Sequence, residues 1–197
     1  MHEKLFLNIE QFVEISADDR RVIERLFVPR EFEKGEHFLR AGEVCREVLF
    51  IETGIFRHFL NRDGEELIYF FAAENDFVSD YESFLSGEPS DKNIQALEAA
   101  RGLTINRDDL QQFYQDIKYG ERFGRLALEQ IFVANLRLVT SFYRDTPAER
   151  YQNFTRNYQN IQNRIPQYYI ASYVGIKPES LSRIRRRAAG RQKKTHE

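Results

Sequence analysis

The sequence holds a single cysteine, Cys45, in 197 residues. That excludes an intramolecular disulfide and an iron–sulfur cluster held by four cysteines of one chain, and a reducing cytoplasm is the expected setting. Long apolar runs are also missing. No stretch approaches the ~18 residues of a membrane span, so no membrane partner is expected, and Met1 to Glu10 shows no signal-peptide pattern. Histidines are few and scattered (His2, His37, His58, His196). They lack metal-ligand spacing, so structural or surface roles are expected and neither metal nor cofactor is. A Walker loop, a Gly-x-Ser-x-Gly elbow and a His-Glu-x-x-His pair are all absent, which argues against an enzyme. Cys45 itself follows a glycine turn and reads as inert.

What is present is enough to fold. Apolar residues make up 42% and aromatics 14%, sufficient for a core and incompatible with wholesale disorder. The length suits one large domain or two small ones. The net charge of −2 conceals an asymmetry: residues 31–100 carry sixteen Asp or Glu against six Lys or Arg, whereas residues 177–197 carry eight Lys or Arg against two acids. An acidic body with a basic end suggests a polyanionic partner at that end; a solvated basic tail is the plain alternative.

Ser16 to Phe27 reads as a helix, capped by Ser16 with Asp18 and Asp19 in its first turn. From Val28 to Leu103 short apolar runs alternate with glycine turns. Residues 48–51, 55–60, 66–71, 94–97 and 102–105 read as strands, with Asp63-Gly64 as a hairpin signal. That spacing argues for an antiparallel sandwich or barrel. Phe56, Phe59, Tyr69, Phe71, Phe77, Tyr81 and Phe84 fall here as core residues, and they are also where a small apolar effector would enter. Leu110 to Tyr119 suggests a short helix, and a long helix follows over about 121–144. Its apolar residues, among them Phe132, Val139 and Phe142, cover more than one face. Such a helix is buried on two sides, either inside a monomeric core or against the same helix of a second subunit. Thr146-Pro147 opens a further helix that ends before Ile165-Pro166.

The densest signal lies between Gln167 and Arg187. A helix-turn-helix needs a small residue where its helices touch, a residue tolerant of the tight turn, and apolar residues facing the core. Ala171 is the small residue, Gly175 the turn, and Ile170, Val174, Ile176, Leu181 and Ile184 are spaced to face inward. Pro178 opens the second helix. Glu179, Ser180, Ser182, Arg183, Arg186 and Arg187 then point outward, with Lys177 and Lys193 close by, a polar and basic surface such as the major groove of double-stranded DNA requires. An ordinary helical hairpin, with Glu179 and Arg183 only an i,i+4 ion pair, is the competing reading.

On these residues nearly the whole chain resembles the Crp–Fnr family of bacterial regulators. Lys34-Gly35, Ala41-Gly42-Glu43, Leu49-Phe50-Ile51, Gly54, Arg57 and Asp63-Gly64-Glu65 resemble the family's cyclic-nucleotide-binding-type roll. Val174-Gly175 and Glu179-Ser180-Leu181-Ser182-Arg183 resemble its recognition helix, with the Glu-x-x-Ser-Arg pattern of the Fnr-like branch. The resemblance implies an α+β architecture: a jelly-roll sensor over 1–119, a dimerisation helix over 120–145 and a winged-helix-like DNA-binding domain over 146–197, its wing reduced or absent. It implies a cytoplasmic homodimer that regulates transcription at a pseudo-palindrome through a helix at 178–187, with a TTGA-like half-site and RNA polymerase as a partner. A sensor or scaffold of the same roll that does not touch DNA is the rival reading.

Two departures from the family stand out. Cyclic-AMP-binding members hold the phosphate with a Gly-Glu turn and a later Arg-Ser pair, which align with Ser79-Asp80 and with Ser90-Asp91-Lys92. The arginine is missing, and Asp80, Glu82, Glu88 and Asp91 make the region acidic, with Lys92 its one counter-charge. Phe71, Val78, Ser79, Asp80, Tyr81 and Lys92 are thus candidates for a pocket whose effector is not cyclic AMP. The sequence beyond Arg187 has no alternating apolar pattern for a β-wing, and Arg191, Lys193 and Lys194 are expected to touch phosphates instead.

Overall fold

The computed structural model describes residues 2–193, with side chains as far as Arg186. The chain divides into two compact units, one of residues 1–58 and 71–135, the other of residues 59–70 and 136–197.

In the first unit two short helices, α1 (Glu3–Glu10) and α2 (Ala17–Leu26), precede the strands. Ser16 caps α2 in a reciprocal box: its hydroxyl accepts from Asp19 N–H while the Asp19 carboxylate accepts from Ser16 N–H. Eight strands follow: β1 (Val28–Phe32), β2 (His37–Leu39), β3 (Glu47–Thr53), β4 (Phe56–Arg62), β5 (Glu65–Ala72), β6 (Phe77–Val78), β7 (Lys92–Ala96) and β8 (Ala100–Asn106). Between β6 and β7 lies the one-and-a-half-turn helix α3 (Tyr81–Ser86). The strands form two four-stranded sheets, ordered β1-β8-β3-β6 and β2-β7-β4-β5. The β1–β8, β3–β8, β3–β6 and β2–β7 pairings are antiparallel, as the glycine-punctuated sequence implies. Gly102 lets β8 lie against β3, because a Cβ there would meet the Phe50 carbonyl oxygen at 2.3 Å.

The roll is filled by aromatic and branched side chains. Phe32 meets Phe56 edge to face with centroids 5.1 Å apart, and Leu49, Phe50, Ile51, Ile55, Phe71 and Ile94 are fully buried. Helix α4 (Arg107–Asp116) is capped by Asn106, and α5 (Gly120–Arg144) follows. Phe113 and Phe123 stack edge to face, joining the start of α5 to this core.

The second unit holds residues 59–70, which are most of β4 and β5, together with the end of α5, α6 (Pro147–Asn157), α7 (Gln167–Val174) and α8 (Pro178–Lys193). Thr146 caps α6 in a second capping box with Glu149, and Pro147 occupies its first turn. Phe154, Ile161, Ile165, Ile170, Ala171, Val174 and Leu181 are buried, with Phe154 and Tyr173 rings 5.4 Å apart. No strand follows α8 among the described residues.

Candidate functional site

The helix-turn-helix is built as its residue types dictate. Helix α7 ends at Gly175, whose φ of 75° is left-handed, and Ile176 N–H donates to Ala171 C=O at 3.0 Å to close the turn. Ala171 and Leu181, both buried, let the helices approach, while Ile176 and Ile184 are half-buried. Helix α8 opens at Pro178. Lys177, Glu179, Ser182, Arg183 and Arg186 are exposed along it, and Ser180 is half-buried. Arg183 donates to Ser180 Oγ at 3.2 Å, and among the described residues no ion pair joins it to Glu179. Arg187 and Lys193 lie outside the described side chains. The helix runs to Lys193, beyond the 178–187 segment expected from sequence.

Arg185 behaves differently from its neighbours. Its guanidinium donates to Gln167 Oε1 and so ties α8 to the start of α7. In the sequence it is one of an undifferentiated arginine run, and only the helical phase separates it from Arg183 and Arg186.

Two further contacts organise this unit. Arg150, on α6, donates from Nη1 to Asp145 C=O at 2.7 Å and from Nε to Val174 C=O at 2.8 Å. The Asp145 carboxylate accepts from Arg144 Nε and Ser141 Oγ, each at 2.8 Å, and from Asn153 Nδ2 at 2.9 Å. These bonds, Arg144 foremost, hold its pKa below the usual carboxylate range. On α7, Ser172 Oγ accepts from Ile68 N–H at 3.0 Å and donates to Glu66 C=O at 2.7 Å, both on β5.

In the first unit the structure joins two of the effector candidates, Asp80 and Lys92, in an ion pair. Lys92 Nζ donates to Asp80 Oδ1 and to Glu82 Oε2, each at 2.8 Å, and Ser90 Oγ donates to Asp80 Oδ2 at 2.7 Å. Asp80 is only 6% exposed. Burial alone would raise its pKa, but the bonds from Lys92 and Ser90 outweigh that and hold it below the usual range. The bonds to Asp80 and Glu82 lift Lys92 above its ordinary value against the pull of burial. His58 is buried beside this pair. Desolvation pushes its pKa down to about 4, with Asp80 opposing the shift and Lys92 adding to it. Sequence reasoning placed His58 only as structural or surface, because nothing in its neighbours along the chain signals burial beside a charge pair.

Phe71 and Val78 are core residues. Ser79 donates to Glu47 C=O at 3.1 Å and its Oγ lies 3.3 Å from the buried Cys45 Sγ. Tyr81 hydrogen-bonds Tyr114, whose ring rests against Gly124. An open apolar groove of about 500 Å³ lies elsewhere, lined by Tyr114, Gly124, Leu128 and Phe132 along α5. No group of three or more His, Cys, Asp or Glu among the described residues is placed to hold a metal ion, and no described helix is long and apolar enough to cross a membrane.

Residues 29–116 match the cyclic nucleotide-binding domain family. No curated protein matches the chain. Among solved structures, the c-di-GMP-responsive global regulator CLP of Xanthomonas campestris superposes with a TM-score of 0.67 at 13% identity, covering 90% of this chain and 93% of its own. FixK2 of Bradyrhizobium japonicum gives 0.67 at 18% identity, covering 84% and 86%. The catabolite activator protein of Thermus thermophilus gives 0.55 at 17%, covering 94% and 88%. At these identities the likeness is one of fold, and it extends over both units.

Proposed function

We propose that this chain, which carries a cyclic nucleotide-binding-type domain and has the fold of the Crp–Fnr regulators, is a homodimeric DNA-binding transcription regulator. The observation that carries the reading is the turn at Gly175 followed by a helix whose exposed side chains are Glu179, Ser182, Arg183 and Arg186. Fixed by Ala171 and Leu181, that face presents donors and an acceptor at the reach of base edges. Arg183 reads a guanine through O6 and N7, and Glu179 accepts from a cytosine amine. Lys177 and Arg186 take phosphates, and the same role falls to Arg187 and Lys193.

The partner that completes the molecule is a second copy. Helix α5 exposes Phe132 (63%), Val139 (54%) and Phe142 (43%), with Tyr143 at 90%. An apolar stripe on a long helix leaves large side chains in water unless another helix covers it. Two copies seated there would carry two recognition helices, suited to half-sites about one helical turn, ~34 Å, apart.

For the roll, the effector is either less anionic than a cyclic nucleotide or not required. Lys92 already faces two carboxylates, Asp80 and Glu82, so a phosphate entering beside it would meet a net negative site.

A gel shift with genomic fragments at two salt concentrations tests the DNA reading. Sequence-dependent retention that weakens with salt is expected, and no retention at either concentration returns the chain to a sensor that does not touch DNA. Light scattering should report a dimer for the wild type and a monomer for Val139→Asp. Calorimetry with cyclic AMP and cyclic GMP should be blank.

A further inference from the structure

We propose that Arg150 is a positioning residue that fixes the angle between the dimer helix and the helix-turn-helix, and thereby sets the half-site spacing that two copies can read. The proposal rests on the DNA-binding reading above. The link between α5 and α6 is only two residues, Asp145 and Thr146. A short link alone leaves the φ and ψ of those residues free to swing everything that follows. The structure removes that freedom from two sides.

On one side the Asp145 carboxylate is bonded both to Ser141, in the last turn of α5, and to Asn153, midway along α6. The two helices are thus tied across the link. On the other side the Arg150 guanidinium spans from the Asp145 carbonyl to the carbonyl of Val174, the last residue of α7. Val174 immediately precedes Gly175, the residue whose left-handed turn aims α8. A Cβ on Gly175 would lie 3.4 Å from Arg150 Nη2, so the guanidinium is seated directly under the turn. One planar group with donors at fixed angles therefore connects the end of the dimer helix to the pivot of the recognition helix. Lysine has the charge but only a single nitrogen, and it cannot reach both carbonyls at once.

The consequence is specific to two-handed binding. A single recognition helix meets a single half-site whatever its angle to α5. Two helices meet two half-sites at once only if both angles are held, because the second contact depends on the effective concentration that geometry allows. Loss of the clamp should weaken binding to a complete site while sparing a half-site.

The test uses the full chain and a duplex selected by the wild-type protein from a random pool, together with the same duplex with one arm scrambled. Arg150→Lys and Arg150→Gln should each lose about tenfold or more in affinity for the intact duplex and stay within about twofold on the scrambled one. They should also discriminate less against duplexes whose arms are one base pair closer or farther. An equal loss on both duplexes would mean that Arg150 only keeps the motif folded, and no loss on either would mean that it does nothing at the hinge; both overturn the proposal. A second measurement is independent of DNA. Spin labels at Arg137→Cys on α5 and Ser182→Cys on α8, in a Cys45→Ser background diluted with unlabelled protein, should give a broader distance distribution when Arg150 is replaced by Lys. An unchanged width overturns the hinge role. A wild type that selects no DNA removes the regulator reading, and the distance measurement still decides the role of Arg150.

Discussion

Charge is handled in opposite ways in the two units. In the roll, Asp80, Lys92, Ser90 and Glu82 satisfy one another, and the buried His58 beside them is held neutral. Along α8 and just before it, Lys177, Glu179, Arg183 and Arg186 stand in solvent, and Arg183 donates to its neighbour Ser180. The first arrangement consumes its charges in holding the fold. The second leaves them available, at some cost in mutual repulsion among the basic groups. A site that meets a polyanion needs the second kind, and a site that has closed on itself has the first. The contrast predicts that charge changes in the roll alter stability and leave DNA recognition alone, and that charge changes on α8 do the reverse.

Acid is the strongest way to break the contrast. The folded pKa of His58, about 4, lies below its ordinary 6.5, so the unfolded chain binds more protons between those values. The stability it represents is present above pH 6.5 and is lost as the pH falls toward 4, about 3 kcal/mol in all. Urea unfolding at pH 7 and pH 4.5 should show it, and His58→Gln should flatten the dependence in that window. A variant as acid-sensitive as the wild type would assign the loss to other groups.

Next in size is Lys92→Met, which leaves the Asp80 carboxylate buried without its counter-charge. Because Lys92 is itself 23% exposed, the loss should fall at or just below the lower limit for broken buried pairs, about 2–3 kcal/mol. The double variant Asp80→Asn, Lys92→Met should recover most of it. DNA affinity of the folded fraction should not move in either.

Arg183→Ala should do the opposite. The melting temperature should hold, while discrimination at one base pair relaxes by about 1–3 kcal/mol. Full discrimination at every position would remove Arg183 from base reading. The smallest effect is expected for Lys177→Ala: a uniform weakening on all sequences, with the salt slope reduced by about one. A loss confined to one sequence would make Lys177 a base reader.

The two units also differ in how much their residues disclose in advance. The helix-turn-helix is local. Ala171, Gly175, Pro178 and Leu181 fall within eleven residues, and each type has one physical job, so spacing alone conveys the geometry. Strands β3, β4, β5, β7 and β8 are equally plain from their apolar runs. Strands β1, β2 and β6 carry no such pattern, whereas α1 does place Leu5, Phe6 and Ile9 on one buried face at helical spacing. In β1, Val28 is exposed and Pro29 removes a ladder donor, as an edge strand permits, so the apolar alternation that marks a strand is missing. β6 has only two residues, too few for any period. The acidity around Asp80 and the isolation of Lys92 are visible as composition, but their pairing depends on how α3 and β7 are brought together. Arg150 is the least legible of all, since its acceptors are two backbone carbonyls, one of them twenty-four residues away, and backbone acceptors leave no trace in residue types.

β5 is the outermost strand of its sheet. The Ile68 N–H and Glu66 C=O point from the same side of that strand, and a bare pair of this kind is a template on which any extended chain can grow. Here a single hydroxyl, Ser172 on α7, answers both. A helix of the helix-turn-helix thus does duty as the missing next strand. A change that lifts α7 from β5 would therefore expose a self-adhesive edge at the moment it disturbs the helix-turn-helix.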